Sequence, residues 1–184
     1  MKTIVMSIDP ALTNTAIVVF EDSKIKHIEV FKPSRPTDAW LTVAEKTRIR
    51  QGEITQGILK HIEKYKPKAI CVEQAQAGAK SAKAASAMAL IAGMLNTLAV
   101  THSQIIWEFI RVAEVKRAVV GRAQATKNEM IEGVLKIYPD LYDRFKSKRG
   151  KSWTGEAEHI ADAIAVYLAF KETPVGKLIC QENG

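Results

Sequence analysis

Cysteine is scarce in this chain: Cys71 lies in an apolar segment and Cys180 in a polar tail. Two such residues exclude a disulfide framework or a cysteine-rich metal cluster, and they imply reduced thiols in a cytoplasmic compartment. No apolar run is read as reaching the roughly 18–20 residues of a membrane span, so no membrane partner is expected. Lys2, Thr3 and Ile4 run straight into an apolar strand, which argues against a signal peptide. Zinc-finger, RRM and P-loop patterns are lacking, as are internal repeats, low-complexity tracts and linkers. There remain 184 residues, 47% apolar with mixed charges, which suit a single globular domain over residues 1–184. Residues 173–184 read as a flexible tail. The net charge of +7 and the pI ≈ 9.4 favour a polyanionic partner without bearing on the fold.

The organising stretch is at the start. Residues 3–20 read as an apolar strand, Asp9, a turn containing Pro10, Thr13 and Asn14, and a second apolar strand. Alternation over residues 24–31 predicts a third, antiparallel strand. Pro33 and Pro36 mark a loop, and a helical stripe runs from Trp40 to about Tyr65, with a break near Gly52 and a stop at Pro67. Residues 68–73 form a short apolar strand closed by Glu73. A loop over residues 74–80 leads to an alanine-rich helix from about Ser81 to Val100, slim enough to pack tightly within the subunit or against a second one. Another strand is expected over residues 104–110. A short helix over residues 112–120 stops at Gly121, and Thr126 with Glu129 makes a capping box for a helix ending near Tyr138. Pro139 and Asp140 break the chain before a basic loop over residues 144–151. The last helix spans about Gly155 to Lys171. Three strands and then alternating helices and strands define an α/β protein with a mixed sheet.

Three acids carry the chemistry. Asp9 and Glu73 each close an apolar strand, and Asp162 stands three residues after His159 on a helix rich in Ile and Ala, with Glu156 on the same side. Taken singly, Asp9 reads equally well as a turn cap, and His159 with Asp162 as a partly exposed polar pair. Taken together, chain-distant carboxylates converging on one place need a cation to offset their repulsion, and hard Mg²⁺ or Mn²⁺ prefers such oxygen ligands. Two such ions roughly 3.5–4 Å apart serve phosphoryl transfer by activating water and stabilising the leaving oxygen. His159 is either a ligand or a base. Lys80, Lys83, Lys116, Arg117, Arg122 and Lys127 lie in or beside the flanking segments and suit phosphate contacts that position DNA without reading its sequence. Taken alone, each reads as a solvated surface charge before a contact; as a group they suit a phosphate-tracking surface. The loop over residues 144–151 is either solvated or a clamp, and Trp153 either stacks on a base or serves a core or hinge role.

Asp9 within Ser-Ile-Asp-Pro-Ala-Leu-Thr-Asn-Thr-Ala, Glu73 within Cys-Val-Glu-Gln, and His159-Ile-Ala-Asp162-Ala-Ile-Ala together resemble the RuvC family of Holliday-junction resolvases, in the ribonuclease H-like superfamily. The segment from Val115 to Gly121, followed by Thr126 and Lys127, resembles the family's basic stretch. The resemblance spans roughly residues 3–170. It implies a ribonuclease H-like fold with a five-stranded mixed sheet, three strands antiparallel and two parallel, flanked by helices. It further implies a homodimer that nicks branched DNA in recombination or repair and leaves 5′-phosphate and 3′-hydroxyl ends. Two Mg²⁺ per active site, replaceable by Mn²⁺, would sit on Asp9, Glu73, His159 and Asp162, with Lys116 and Lys127 on phosphate. Pro10-Ala11 stands where the family has Pro-Gly, His159 where many members have a carboxylate, and the loop over residues 74–80 lacks the family's junction-wedging aromatic. These departures suit a divergent or phage-type member, in the cytoplasm of a bacterium or infected host, that cuts forks as well as four-way junctions. The alternatives are a related nuclease acting on RNA–DNA hybrid or RNA, and a non-catalytic module that binds branched DNA.

Overall fold

The computed structural model describes residues 2–74, 82–147 and 152–181. Five strands form one sheet: β1 (Ile4–Asp9), β2 (Thr15–Glu21), β3 (Lys24–Phe31), β4 (Ala69–Gln74) and β5 (Ile106–Arg111). Their order is β3-β2-β1-β4-β5, with β1–β2 and β2–β3 antiparallel and β1–β4 and β4–β5 parallel. This is the expected mixed sheet. The central strand β1 is buried on both faces, which is why it reads as a nearly unbroken apolar run.

Alternation along the strands divides two cores. Met6, Ile8, Ile17, Val19, Ile70 and Val72 face α1 (Val43–Tyr65) and α2 (Ala82–Thr101), where Ile54, Ile58, Ile91 and Leu95 meet them. Val5, Val18, Phe20 and Cys71 face the other way. They pack with α3 (Val112–Val120), α4 (Lys127–Ile137), α5 (Tyr142–Phe145) and α6 (Ala157–Glu172). The axis of that second core is α6, whose Ile160, Ala161, Ile164 and Phe170 are fully buried. Phe20 stacks on Tyr167 with ring centroids 3.6 Å apart, joining β2 to α6. Each buried Ile or Phe contributes about 1.5–3 kcal/mol of transfer free energy, so these contacts set the position of α6 on the sheet.

Four expectations need correction. The helix α1 is unbroken at Gly52, which has open space around it and costs only about 1 kcal/mol in propensity. It begins at a capping box in which Glu45 N–H donates to Thr42 Oγ1 at 3.2 Å and Thr42 N–H donates to Glu45 Oε2 at 2.7 Å. The tail is no frayed segment up to residue 181: α7 (Pro174–Gln181) packs on α6 and buries Ile179. Its start is fixed by Thr173, whose Oγ1 accepts from Gly176 N–H at 3.0 Å, with Pro174 at the first helical position. The chain after Tyr138 continues through a 3₁₀ turn (Pro139–Leu141) into α5, which buries Phe145. Finally, Ala84–Thr101 carries no charged side chain and is long and apolar enough to cross a membrane, although largely uncovered by the rest of the chain. Its polar Ser86, Asn96 and Thr97 interrupt strictly apolar runs without lowering the average over the helix.

Residues 144–147 of the expected basic loop belong to α5 and to a short pairing in which Ser147 N–H donates to Ser152 O at 2.9 Å. Lys146 Nζ lies 3.8 Å from the centre of the half-buried Trp153 ring, and Trp153 packs on the core. That supports its core reading over base stacking. Residues 148–151 of this loop lie outside the described residues, as do residues 75–81.

Candidate active site

The parallel register aligns Ile8 of β1 with Val72 of β4. Asp9 and Glu73 are the next residues along two neighbouring strands, so the topology delivers both carboxyls to one end of the sheet. Both come directly after apolar side chains that point towards α1, so alternation turns both towards α6. There α6 presents His159 and Asp162. His159 Nδ1 donates to Asp9 Oδ2 at 2.9 Å, since an ionised carboxylate can only accept. Asp9 is also hydrogen-bonded to Glu73. The charge of Asp162 acts on Glu73 and on His159.

Electrostatics in this cluster run against ionisation. Burial, and then the charges of Asp9 and Asp162, push Glu73 up to about 8, with Lys116 opposing. Burial, and then Asp9 and Glu158, push Asp162 up to about 7, with His159 and Lys127 opposing. Asp9 is also raised by burial, partly offset by its bond to His159. The same bond raises His159. At about 8 and about 7, Glu73 and Asp162 retain protons near neutrality unless positive charge reaches them. Asp9 and Glu73 form one end of a cleft of ≈ 750 Å³, whose walls are the turn Pro10–Thr13 and the apolar inner face of α2 around Met88, Ile91 and Leu95.

The basic residues separate into groups. Lys116 acts on Glu73, and Lys127 Nζ lies 2.5 Å from Glu158 Oε1 at the rim of the site. Arg117 instead lines a separate cleft with Glu108, Glu114 and Thr173. Arg122 pairs with Glu129. Lys80 lies outside the described residues. Lys83 belongs to the first turn of α2, and its side chain is not among those described. Glu156, expected beside the acids, pairs with Lys32 at 2.5 Å. Its place is taken by Glu158, whose charge raises Asp9, His159 and Asp162 alike. Glu158 and Asp162 are four apart and Glu156 and His159 three apart, so helical spacing alone allows either acid.

The fold is an α/β mixed sheet with carboxyls at the ends of adjoining parallel strands, faced by a helix bearing His and Asp, the frame of a ribonuclease H-like nuclease. The chain matches the family described as crossover junction endodeoxyribonuclease RuvC over residues 5–170, and it belongs to that family. Solved structures agree on the fold. Thermus thermophilus RuvC in complex with Holliday junction substrate is 22% identical, with a TM-score of 0.64 over 91% of this chain and 92% of that one. Thermus thermophilus RuvC in a second structure is 23% identical, with a TM-score of 0.63 over 91% of this chain and 93% of that one. The yeast mitochondrial Holliday junction resolvase Ydc2 is 12% identical, with a TM-score of 0.64 over 97% of this chain and 80% of that one. No curated protein sequence matches significantly.

Proposed function

We propose that this member of the family, a structure-selective junction endodeoxyribonuclease, nicks four-way junctions and forks through a site built from Asp9, Glu73, His159 and Asp162. The observation that carries the reading is the convergence of three carboxyls from β1, β4 and α6, Asp9 buried and Glu73 and Asp162 half-buried, the latter two raised to about 8 and about 7 by desolvation and then by their neighbours' negative charge. A donor set of carboxylate oxygens with one imidazole fits two Mg²⁺ ions, with Mn²⁺ as substitute. When bound, such ions neutralise the cluster, activate water and stabilise the leaving 3′-oxygen. The residues do the rest. Asp9 orients the His159 ring through its hydrogen bond. Lys116 and Lys127 flank the acids and hold the scissile phosphate against them. Glu158 keeps Lys127 at the rim until DNA phosphate competes for it.

The uncovered face of α2, with Leu90 and Val100 exposed, is proposed as the surface on which two copies meet, placing two sites on two strands. The single-domain organisation of residues 1–184 and a cytoplasmic setting belong to the same proposal; Cys71 and Cys180 are both free thiols. The test is a nicking assay on end-labelled four-way junction, fork and linear duplex, with Mg²⁺ against EDTA. Paired metal-dependent cuts in the branched substrates, lost in Asp162→Asn with binding retained, are expected. Cutting that survives in Asp162→Asn overturns the site assignment.

A further inference from the structure

A second set of ligating groups lies on the opposite face of the sheet from the acids. On β3, His27 and Glu29 are two apart and so point the same way. Their register partners on β2, Val19 and Ile17, belong to the core facing α1. From α1, His61 meets them: it is buried, at 4% exposure. Glu29 Oε2 lies 3.3 Å from His61 Nε2 and 3.5 Å from His27 Nε2. One ligand atom from each of the three residues falls within 4.8 Å of the others.

The orientation of His61 decides what this cluster can hold. Its Nδ1 lies 2.7 Å from the Gly57 carbonyl oxygen, which can only accept, so Nδ1 carries a hydrogen. In the neutral ring, Nε2 then points a lone pair at a Glu29 carboxylate oxygen, and two acceptors face each other at the edge of the buried His61 ring. A positive charge between them resolves the conflict. Either a second proton or a metal ion can supply it, and the position of His27 favours the metal. A third donor aimed at the same carboxylate oxygen is surplus to a simple His61–Glu29 ion pair, but it completes the donor set of an ion. A ligating imidazole that donates its other N–H to a backbone carbonyl is the arrangement that fixes tautomer and ring for coordination. Tyr65 flanks both rings, with centroids 5.5 Å from His27 and 5.9 Å from His61, and gives the site an apolar wall.

We propose that His27, Glu29 and His61 bind a divalent transition ion of the zinc class, distinct from the hard cations of the active site. Two imidazoles and one carboxylate suit Zn²⁺ in tetrahedral coordination, and the partly exposed Glu29 side leaves the fourth position to water. The ion would fasten β3, which among the described residues pairs only with β2, to α1 and so brace the sheet edge.

The full-length protein, stripped with EDTA and dialysed, is titrated with Zn²⁺ by calorimetry and with Co²⁺ by visible absorption. Thermal melts with and without Zn²⁺ accompany both titrations. Wild type and Asp162→Asn should both show the ligand-field absorption of tetrahedral Co²⁺ and a Zn²⁺-dependent rise in melting temperature, undiminished by excess Mg²⁺. In His27→Ala and Glu29→Gln, Zn²⁺ affinity at this site should fall by about a hundredfold or more, the share of one ligand in a structural zinc site. Both substitutions fall on partly exposed side chains, and circular dichroism confirms that the variants fold. The same Co²⁺ spectrum and Zn²⁺ stabilisation in these variants as in wild type would overturn the proposal, as would the lack of either signal in wild type. Loss of the signals in Asp162→Asn alone would place the ion among the active-site acids and overturn it too. Cleavage activity does not enter this test, so its outcome is independent of the active-site reading.

Discussion

Asp162→Asn should make the metal-free protein more stable while removing its cleavage activity. Asp162 is raised from the ordinary 3.8 to about 7, through burial first and then the charges of Asp9 and Glu158. A carboxyl whose folded pKa exceeds its unfolded one binds more protons in the native state. Its contribution to stability is therefore unfavourable above the folded pKa and relieved as pH falls through about 7 towards 3.8. A displacement of this size corresponds to a ceiling of about 4 kcal/mol at alkaline pH. The neutral Asn amide avoids that cost but must itself find partners, which returns about 1–3 kcal/mol. The net gain is about 1–3 kcal/mol, or about 2–12 °C in melting temperature for a chain of this size. The assay is calorimetry in EDTA at about pH 8.5 and about pH 5.5, on either side of the shifted titration. The variant should melt higher than wild type at the alkaline pH, and the difference should shrink at the acid one. Adding Mg²⁺ should then stabilise wild type at the alkaline pH more than the variant, because the ion offsets a repulsion that the variant has already lost. Equal or lower stability of Asp162→Asn in EDTA at alkaline pH would refute the claim that these carboxyls repel one another in the native state.

The concentration of Mg²⁺ needed for half-maximal cleavage should rise as pH falls below about 8, because protons must leave Glu73 and Asp162 before a cation binds. One displaced proton gives about tenfold per pH unit, and two give up to about a hundredfold, read from Mg²⁺ titrations at several pH values. Lys116→Ala and Lys127→Ala should each lower the salt dependence of junction binding by about 0.9 in log–log slope, whereas Arg117→Ala, which lines a different cleft, should leave it unchanged. Asp9→Asn or Glu73→Gln should lower cleavage by about a thousandfold or more in single-turnover assays with junction binding kept. Gly176→Ala should destabilise the fold by about 1–3 kcal/mol in denaturant titration, since overpacking displaces α7. A Cβ there would lie 1.7 Å from the Phe170 carbonyl oxygen.

Local signals in the sequence are sufficient for the elements that hold the site. The apolar runs ending at Asp9 and Glu73 identify two buried strands, and β3 has the expected limits, Lys24–Phe31. Gly121, at φ 77, caps α3 as a left-handed residue should, and the Thr126–Glu129 box starts α4. What the sequence does not show is the parallel register that sets Asp9 beside Glu73, because register depends on a crossover through all of α1. Nor does it show which face of α6 meets the acids. Counting back three residues from His159 selects Glu156, whereas the site meets Glu158, and only the packing of α6 on β1 distinguishes the two.

The missed elements share a cause of a different kind. Pro139-Asp140 reads as a break and residues 173–184 as a tail, although proline at the first position of a helix is as ready a start as a stop. Residues further along decide between the two. Ile179 and Phe145 each supply a buried anchor, and burial offsets the weak propensity of such short segments. For α2 the discrepancy runs the other way. Each strictly apolar piece of Ala84–Thr101 is short, so the uncharged helix reads as ordinary, yet its outer face is left without cover. Exposed apolar surface of that extent calls for a partner. On the proposal above, that partner is a second copy of this chain, which would also supply the second active site. Measuring the oligomeric state of Leu90→Lys by sedimentation therefore tests the dimer separately from the chemistry. A monomer that still binds one Mg²⁺ pair but no longer makes paired cuts is the expected result, and an unchanged dimer would move the interface elsewhere.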